Sequence, residues 1–420
     1  MEHLSVKNAQ QCVLESVAVL DAESVKLEQT LGRVLAKDVY ANRDIPPYDV
    51  SAMDGYAVRS ADIKQVTSTL EITEDIKAGD MPTMTVGAGQ CARIMTGAPM
   101  PDGADAVIRV EGTQAVSDRT VQINVAVKPG SDIRLRGEGM RNGEVVLTAG
   151  TEITPGVIGV LATVKCAQVQ VVRHPRVAIL STGNELEDMD EPVDPNKIPN
   201  SNSYALMAQV QALGIEPSLL GIARDDPAEL AEYLQRGLRF DVLLVSGGTS
   251  VGVHDYVRPT IEALGVKMKF WRVAMKPGHP VAFGLLQQNT NGSSKITFVF
   301  GLPGNPVSSM VCFEQFVAPA LRIMMGNSRL YRRTIAARLT HDVKHQPGRT
   351  EFIRVTLAKR EGGYEATSTG AQGSGMLLSM ARADGLMVVP SESTGLAAGE
   401  QVTVQLLDGT VFQDDVGFRE

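Results

Sequence analysis

The segment DVLLVSGGTSVGVHDY, Asp241–Tyr256, decides the reading of the fold. Val242–Val245 is a short continuous apolar run, the pattern of a strand buried on both faces. In Ser246-Gly247-Gly248-Thr249-Ser250, which follows, two glycines let backbone amides turn inward with no Cβ in the way. Amides of that kind beside a helix start cradle anionic oxygens. Asp255 lies just beyond, and a carboxylate next to bound phosphate points to a divalent cation. The same residues also suit a plain tight βα turn.

Outward from this segment, residues 175–327 alternate strands and helices. RVAILSTGNEL reads as a strand ending at Ser181-Thr182-Gly183, with Glu185 beyond it. SNSYALMAQVQALG is a capped helix closed by Gly214. PSLLGIA is a strand with Asp225 at its C-terminal mouth, and Asp226-Pro227 caps a helix to about Leu238. Downstream, YVRPTIEALG reads as a helix, and residues 266–286 are strand-like on both sides of Lys276-Pro277-Gly278. ITFVFGL is a strand, and Pro306 then opens a long helix at its first position. Repeated β-α-β units predict an α/β domain with a parallel, doubly wound sheet, its ligand beyond the carboxyl ends of the strands. Four such ends carry Glu185, Asp225, the Ser246–Ser250 loop with Asp255, and Gly301–Pro306. In the last, Pro303, Gly304, Asn305 and Pro306 restrict the loop, Asn305 can cap the helix, and Ser308 and Ser309 present hydroxyls. Arg272 and Lys276 supply positive charge. A bound anion with Mg²⁺ implies phosphoryl or nucleotidyl chemistry, in which positioning and charge neutralisation dominate.

The flanks read differently. Ser5 caps a helix expected to reach about Leu20, with Val6, Ala9, Val13 and Val17 on one stripe. RDIPPYDVSAMDGYAV, Arg43–Val58, is rich in turn formers, and Asp54-Gly55 reads as a tight turn. Short β-like runs follow to about Val127, with Thr96 in a turn among them. Arg134, Arg136 and Arg141 suit either an anionic ligand or a wet surface. Thr154-Pro155 starts a helix to about Thr163. Residues 1–44 and 140–174 are therefore expected to form a discontinuous N-terminal domain, with 45–139 an inserted β-domain. Residues 328–420 read as a C-terminal β-barrel or sandwich with a hairpin at Gly362-Gly363.

With 420 residues, 43% hydrophobic and 21% charged, the chain has the composition of a multidomain soluble protein. Its net charge of −8 argues against nucleic-acid binding. No apolar run reaches membrane-spanning length and the first residues lack a signal pattern, so a cytoplasmic protein without a membrane partner is expected. Cys12, Cys91, Cys166 and Cys312 are widely spaced, as reduced and mostly buried thiols are. The six histidines include no H-E-x-x-H pair, which argues against zinc.

STGNEL, DVLLVSGGTSVGVHDY, MKPGHP and GLPGNP, with PPYDVSAMDGYAV and IMTGAP upstream, resemble the molybdopterin molybdenumtransferases, MoeA and the E domain of gephyrin. The likeness covers essentially the whole chain. SGGTSVG alone is shared with molybdopterin adenylyltransferases and CinA proteins; PPYDVSAMDGYAV is more selective. The resemblance implies Mg²⁺-dependent insertion of molybdate into adenylylated molybdopterin with release of AMP, by a homodimer whose clefts use both subunits. Protein partners it allows are a molybdopterin adenylyltransferase and molybdoenzyme acceptors. The family's functional positions fall on Asp54, Thr96, Glu185, Asp225, Asp255, Lys276, Ser308, Arg349 and Ser374. Of these, Asp225 and Asp255 would hold Mg²⁺, and Lys276, Arg349, Ser308 and Ser374 would bind molybdate, a tetrahedral dianion. Two positions depart from the pattern. His279 stands where the family often has a second lysine, and Gly139 where it tends to have an acid. A gephyrin-like binding scaffold and an adenylyltransferase are the alternative readings.

Overall fold

The computed structural model describes residues 4–63, 67–248, 256–290 and 293–407. The chain forms two compact units, one of residues 1–23, 32–34 and 171–420, the other of 24–31 and 35–170.

In the first unit Val242–Ser246 is a fully buried strand near the middle of a six-stranded sheet among the described residues. The order is Ser218–Ala223, Val177–Thr182, Val242–Ser246, Ser293–Leu302, Ala282–Thr290, Lys267–Phe270. The first four strands are parallel, but the last two pair antiparallel. The sheet is thus mixed, not wholly parallel as the alternation predicts. Thr290 and Ser293 are too close in sequence for a parallel return, which needs a crossover of a dozen residues or more. Strand residues alternate between two cores, as a period of two requires. Ile179 and Leu244 share a cluster with Leu206 and Phe316 on one face. Leu180 and Val245 share another with Leu234 and Ile261 on the other face.

Local chemistry sets the helix starts. The side chain of Ser5 accepts the Asn8 amide at 3.2 Å to start Val6–Ser16. Asp226 accepts the amides of Ala228 and Glu229 to start Pro227–Gly237. The first helix stops at Ser16 instead of reaching Leu20. Val17 is already extended, and the Leu20 amide bonds the Met324 carbonyl at 2.9 Å. Its buried Val6, Ala9 and Val13 pack in the cluster that holds Ile179. Residues 1–23 group with 171–420, while within the second unit Val39–Tyr40 pairs with Val145–Leu147.

The helical stretch Pro306–Met324 has the length and hydropathy of a membrane span, but 83% of its apolar window is buried in protein, which makes it a core helix. It widens into a π turn at Phe313–Val317. Pro319 has no N–H for the Gln315 carbonyl, and Gln10 Nε2 donates to that carbonyl at 3.2 Å. Two arginines clamp the residue that opens the central strand. Arg173 and Arg176 bond the carboxylate of Asp241 at 2.7 and 3.2 Å.

Thr334–Leu339, Thr350–Arg360, Gly363–Ser368, Gly385–Val389 and Gln401–Leu406 close on one another through the pairing of Thr350–Arg360 with Gly385–Val389. The C-terminal region is therefore a barrel, not a sandwich. The short strand Met275–Lys276 joins it in parallel, with Lys276 opposite Glu351.

The second unit carries another six-stranded sheet, ordered Ala106–Arg109, Gly55–Val58, Gln90–Ile94, Ser68–Ile76, Thr120–Ile123, Thr113–Ser117. Gly55–Val58, which reads as part of a turn, is an interior strand buried at every residue. Gly55 is there for close packing: a Cβ would lie 1.9 Å from the Ile108 carbonyl oxygen. Arg134 pairs with Glu138 at 2.9 Å and Arg136 with Asp44 at 2.6 Å, which favours the wet-surface reading of those arginines. Thr154 Oγ1 accepts the Val157 amide to start Pro155–Thr163.

Candidate active site

The glycines after the central strand serve close approach. Gly247 has φ +95°, and a Cβ on it would sit 2.6 Å from the Thr182 carbonyl oxygen. On Gly248 it would sit 2.0 Å from Val257 Cγ2. Asn202 ties two loops together, its Nδ2 donating to Ser246 Oγ and to the Gly304 carbonyl, both at 2.8 Å. The Gly247 amide donates to the Leu302 carbonyl at 3.1 Å. That amide is spent within the protein. Thr249, Ser250 and Asp255 lie outside the described residues.

At the two neighbouring strand ends, Asp225 and Asn184 bond reciprocally. The Asn184 amide donates to Asp225 Oδ2 at 3.2 Å, and the Asp225 amide donates to Asn184 Oδ1 at 3.1 Å. Glu185 is exposed next to Gly183, whose missing Cβ leaves room for the Glu185 carboxylate. Among the described residues no three His, Cys, Asp or Glu side chains gather into a metal cluster.

The loop before Pro306 differs from its sequence reading in two respects. Asn305 occupies the N-cap position, but its side chain makes no capping bond. The helix is met instead from the C-terminal barrel, where the Ser374 carbonyl accepts the Val307 amide at 3.1 Å. Ser308 and Ser309 are buried rather than presented, because Pro306–Cys312 is packed on nearly every side. Pro303 is also buried, Gly304 and Asn305 are exposed, and Pro306 is half-buried.

Lys276 reaches Glu351, Nζ to Oε1 2.8 Å, and His345 Nδ1 meets the other carboxylate oxygen at 2.9 Å. These residues, with Lys344, Gln346 and Arg349, line a cavity of about 180 Å³. Arg272 is half-buried and does not line it. Three residues along the strand from Glu351, Arg354 is only 1% exposed. Its guanidinium donates to Ser379 Oγ and the Gly373 carbonyl, and its backbone is clasped by Gln372, so it pins the loop that carries Ser374. Burial holds Arg354 below the ordinary guanidinium value, against the opposing effect of the Glu351 charge. His279 Nδ1 lies 2.7 Å from the Val273 carbonyl.

Asp54 and Thr96 come together within the second unit. The Thr96 amide and hydroxyl both donate to Asp54 Oδ1, at 2.7 and 2.8 Å. Those two bonds, the amide first, hold the exposed Asp54 carboxyl below its usual range. Thr96 is in a turn, as its sequence suggests, and the turn exists to aim both donors at one oxygen.

Comparison with known proteins then decides the family. The profile for the MoeA N-terminal region (domain I and II) matches residues 4–164. The probable molybdopterin binding domain matches 178–323, and the MoeA C-terminal region (domain IV) matches 336–407. A molybdopterin molybdenumtransferase of Nostoc sp. is 38% identical over 91% of this chain and 88% of its own. The chain belongs to the molybdopterin molybdenumtransferase family. Another member of the family, from Staphylococcus aureus strain COL, is 32% identical over 98% of both chains. The crystal structure of the molybdopterin biosynthesis moea protein from Pyrococcus horikosii superposes with a TM-score of 0.80 at 32% identity, covering 96% of this chain and 99% of that one. The molybdenumtransferase fold thus extends through both units and the C-terminal barrel.

Several residues at the site have no signal in the sequence. Asn184 lies inside the STGNEL motif, but its bond to Asp225 across two strand ends has no local signal. Asn202 reads as one more polar residue of a capped helix, and Glu351 and Arg354 as two charged positions in a strand. His345 lies in a loop with no neighbouring motif. Only the packed structure brings them to the loops they hold.

Proposed function

We propose that this chain inserts molybdate into adenylylated molybdopterin, with Mg²⁺, releasing AMP and molybdenum cofactor. The observation that carries this reading is the cavity shared by Lys276, Lys344 and Arg349, in a chain whose relatives are named for molybdenum transfer. Ammonium and guanidinium groups around a small cavity suit a tetrahedral dianion, because each contributes a charge-assisted hydrogen bond. In this reading Lys276 and Arg349 bind and orient the oxyanion together with the hydroxyls of Ser308 and Ser374, whose loops are joined by the bond from the Val307 amide to the Ser374 carbonyl. Asp225 and Asp255 would hold Mg²⁺, since Mg²⁺ takes one or two carboxylates and completes its shell with water and phosphate oxygens. When bound, the ion neutralises charge on the pyrophosphate of the substrate. Asp225 is oriented by Asn184 for that task, and Glu185 adds negative charge at the adjacent strand end. Asp54, ionised and held in one direction by Thr96, would orient a substrate group.

The reading includes a homodimer in which Asp54 and Thr96 serve the partner's cleft. The experiment that tests the activity supplies adenylylated molybdopterin, with and without molybdate and Mg²⁺, and measures AMP. Release that requires both ions is the expected result. Consumption of ATP in its place would mean an adenylyltransferase, and no turnover a scaffold. Mixing Asp54→Ala chains with Asp225→Ala chains under subunit exchange should restore activity; no recovery would rule out the shared cleft.

A further inference from the structure

Glu351 is an unexpected residue to find in an anion site. Its side chain is 8% exposed and its two oxygens are divided, one to Lys276 at 2.8 Å and one to His345 at 2.9 Å. The His345 side chain is 3% exposed, and its Nε2 is buried with no hydrogen-bond partner among the described residues. A carboxylate in that place competes with any incoming dianion for Lys276. We propose that Glu351 is a built-in counter-anion that oxyanion binding displaces from Lys276, and that protonation of His345 takes over the carboxylate at that moment. Both are positioning residues: neither needs to touch the oxyanion, and each acts through Lys276.

The charges around His345 set the sign. Glu351 faces it directly, Lys276, Lys344 and Arg349 share the cavity with it, and Arg354 lies three residues along the strand from Glu351. With His345 neutral, Lys276 is the main balance for the Glu351 charge and stays paired. With His345 protonated, the carboxylate keeps a cation after Lys276 turns to the ligand. An imidazole changes charge in the neutral range, so oxyanion affinity should rise as pH falls, and binding should take up protons by linkage. His279, the residue singled out by its departure from the family pattern, has Nδ1 engaged by the Val273 carbonyl.

The proposal rests on the oxyanion reading of the cavity, and molybdate binding to the full chain tests the two separately. Isothermal titration calorimetry between about pH 6 and 8, in two buffers of different ionisation enthalpy, reads both affinity and proton uptake. The wild-type chain should bind about tenfold more tightly at the acid end and take up a fraction of a proton. His345→Gln should flatten the profile and abolish the uptake. Glu351→Gln should tighten binding at the alkaline end by about threefold or more, because a negative charge beside the dianion is gone. A carboxylate that merely buttressed the fold would give the opposite change. Weaker or unchanged binding in Glu351→Gln, or proton uptake that survives in His345→Gln, overturns the proposal. The Glu351→Gln arm decides alone if His345→Gln does not fold. Absence of molybdate binding by the wild-type chain would sink the oxyanion reading itself, a result distinct from either.

Discussion

Asp54 and Asp241 each stand immediately before a buried strand, Gly55–Val58 and Val242–Ser246, and both have carboxyls held below the usual range. Their partners separate them. Asp54 is exposed and takes two neutral donors from Thr96, so its negative charge remains open to solvent. Asp241 is buried, and that burial works against its charge. Hydrogen bonds from Arg176 and Arg173 outweigh it and bring the pKa to about 2. Its charge is consumed by the fold. The same residue at the same place in a strand is thus presented in one unit and neutralised in the other. What decides is whether the donors carry charge and whether water reaches the carboxylate.

The comparison can be broken most severely at Gly55. Gly55→Ala places a methyl 1.9 Å from the Ile108 carbonyl oxygen inside the sheet. It should cost more than about 3 kcal/mol, read by denaturant unfolding, with activity lost alongside. Wild-type stability in that variant would mean that Gly55 does not pack against the Ile108 carbonyl.

Asp54→Asn keeps the shape and removes the charge. Turnover should fall on the order of 100-fold while the unfolding midpoint stays put. A variant that unfolds early with unimpaired turnover would put Asp54 in the same structural class as Asp241.

Asp241→Asn should do the reverse, costing about 2 kcal/mol at pH 7 with kcat little changed in the folded fraction. A carboxyl depressed from 3.8 to about 2 stabilises above its unfolded value, and that stability is lost as pH falls from about 4 toward 2. Wild-type and variant stabilities should therefore converge at that acid end. A constant gap down to pH 2 would point to packing rather than charge.

The smallest effect is expected from Thr96→Val, which deletes the hydroxyl donor and leaves the amide. Asp54 should titrate higher, moving the acid limb of the activity profile toward neutral pH, with a few-fold loss of rate at most. An unshifted limb would show that the amide alone orients the carboxylate.

The order of elements in the α/β region, the capped helix starts at Ser5, Thr154 and Asp226, and the five barrel strands are legible from residue pattern alone. Each depends on neighbours a few residues away: an apolar period, a capping side chain, a proline at the first helical position. The motif loops at Glu185, Asp225, Ser246 and Gly304 are legible for the same reason, since glycine and proline constrain the backbone wherever they occur. The tertiary structure decided the rest. It turned an Asp-Gly pair into the entrance of an interior strand, because close packing against Ile108 needs a residue without a Cβ. It spent the Gly247 amide on Leu302 and paired Lys276 with Glu351, 75 positions later in the chain. Such partners are chosen by which strands lie side by side once apolar surface is buried. No local pattern encodes that choice, because a hydrogen bond or ion pair across the fold depends on distance in space and not on spacing along the chain.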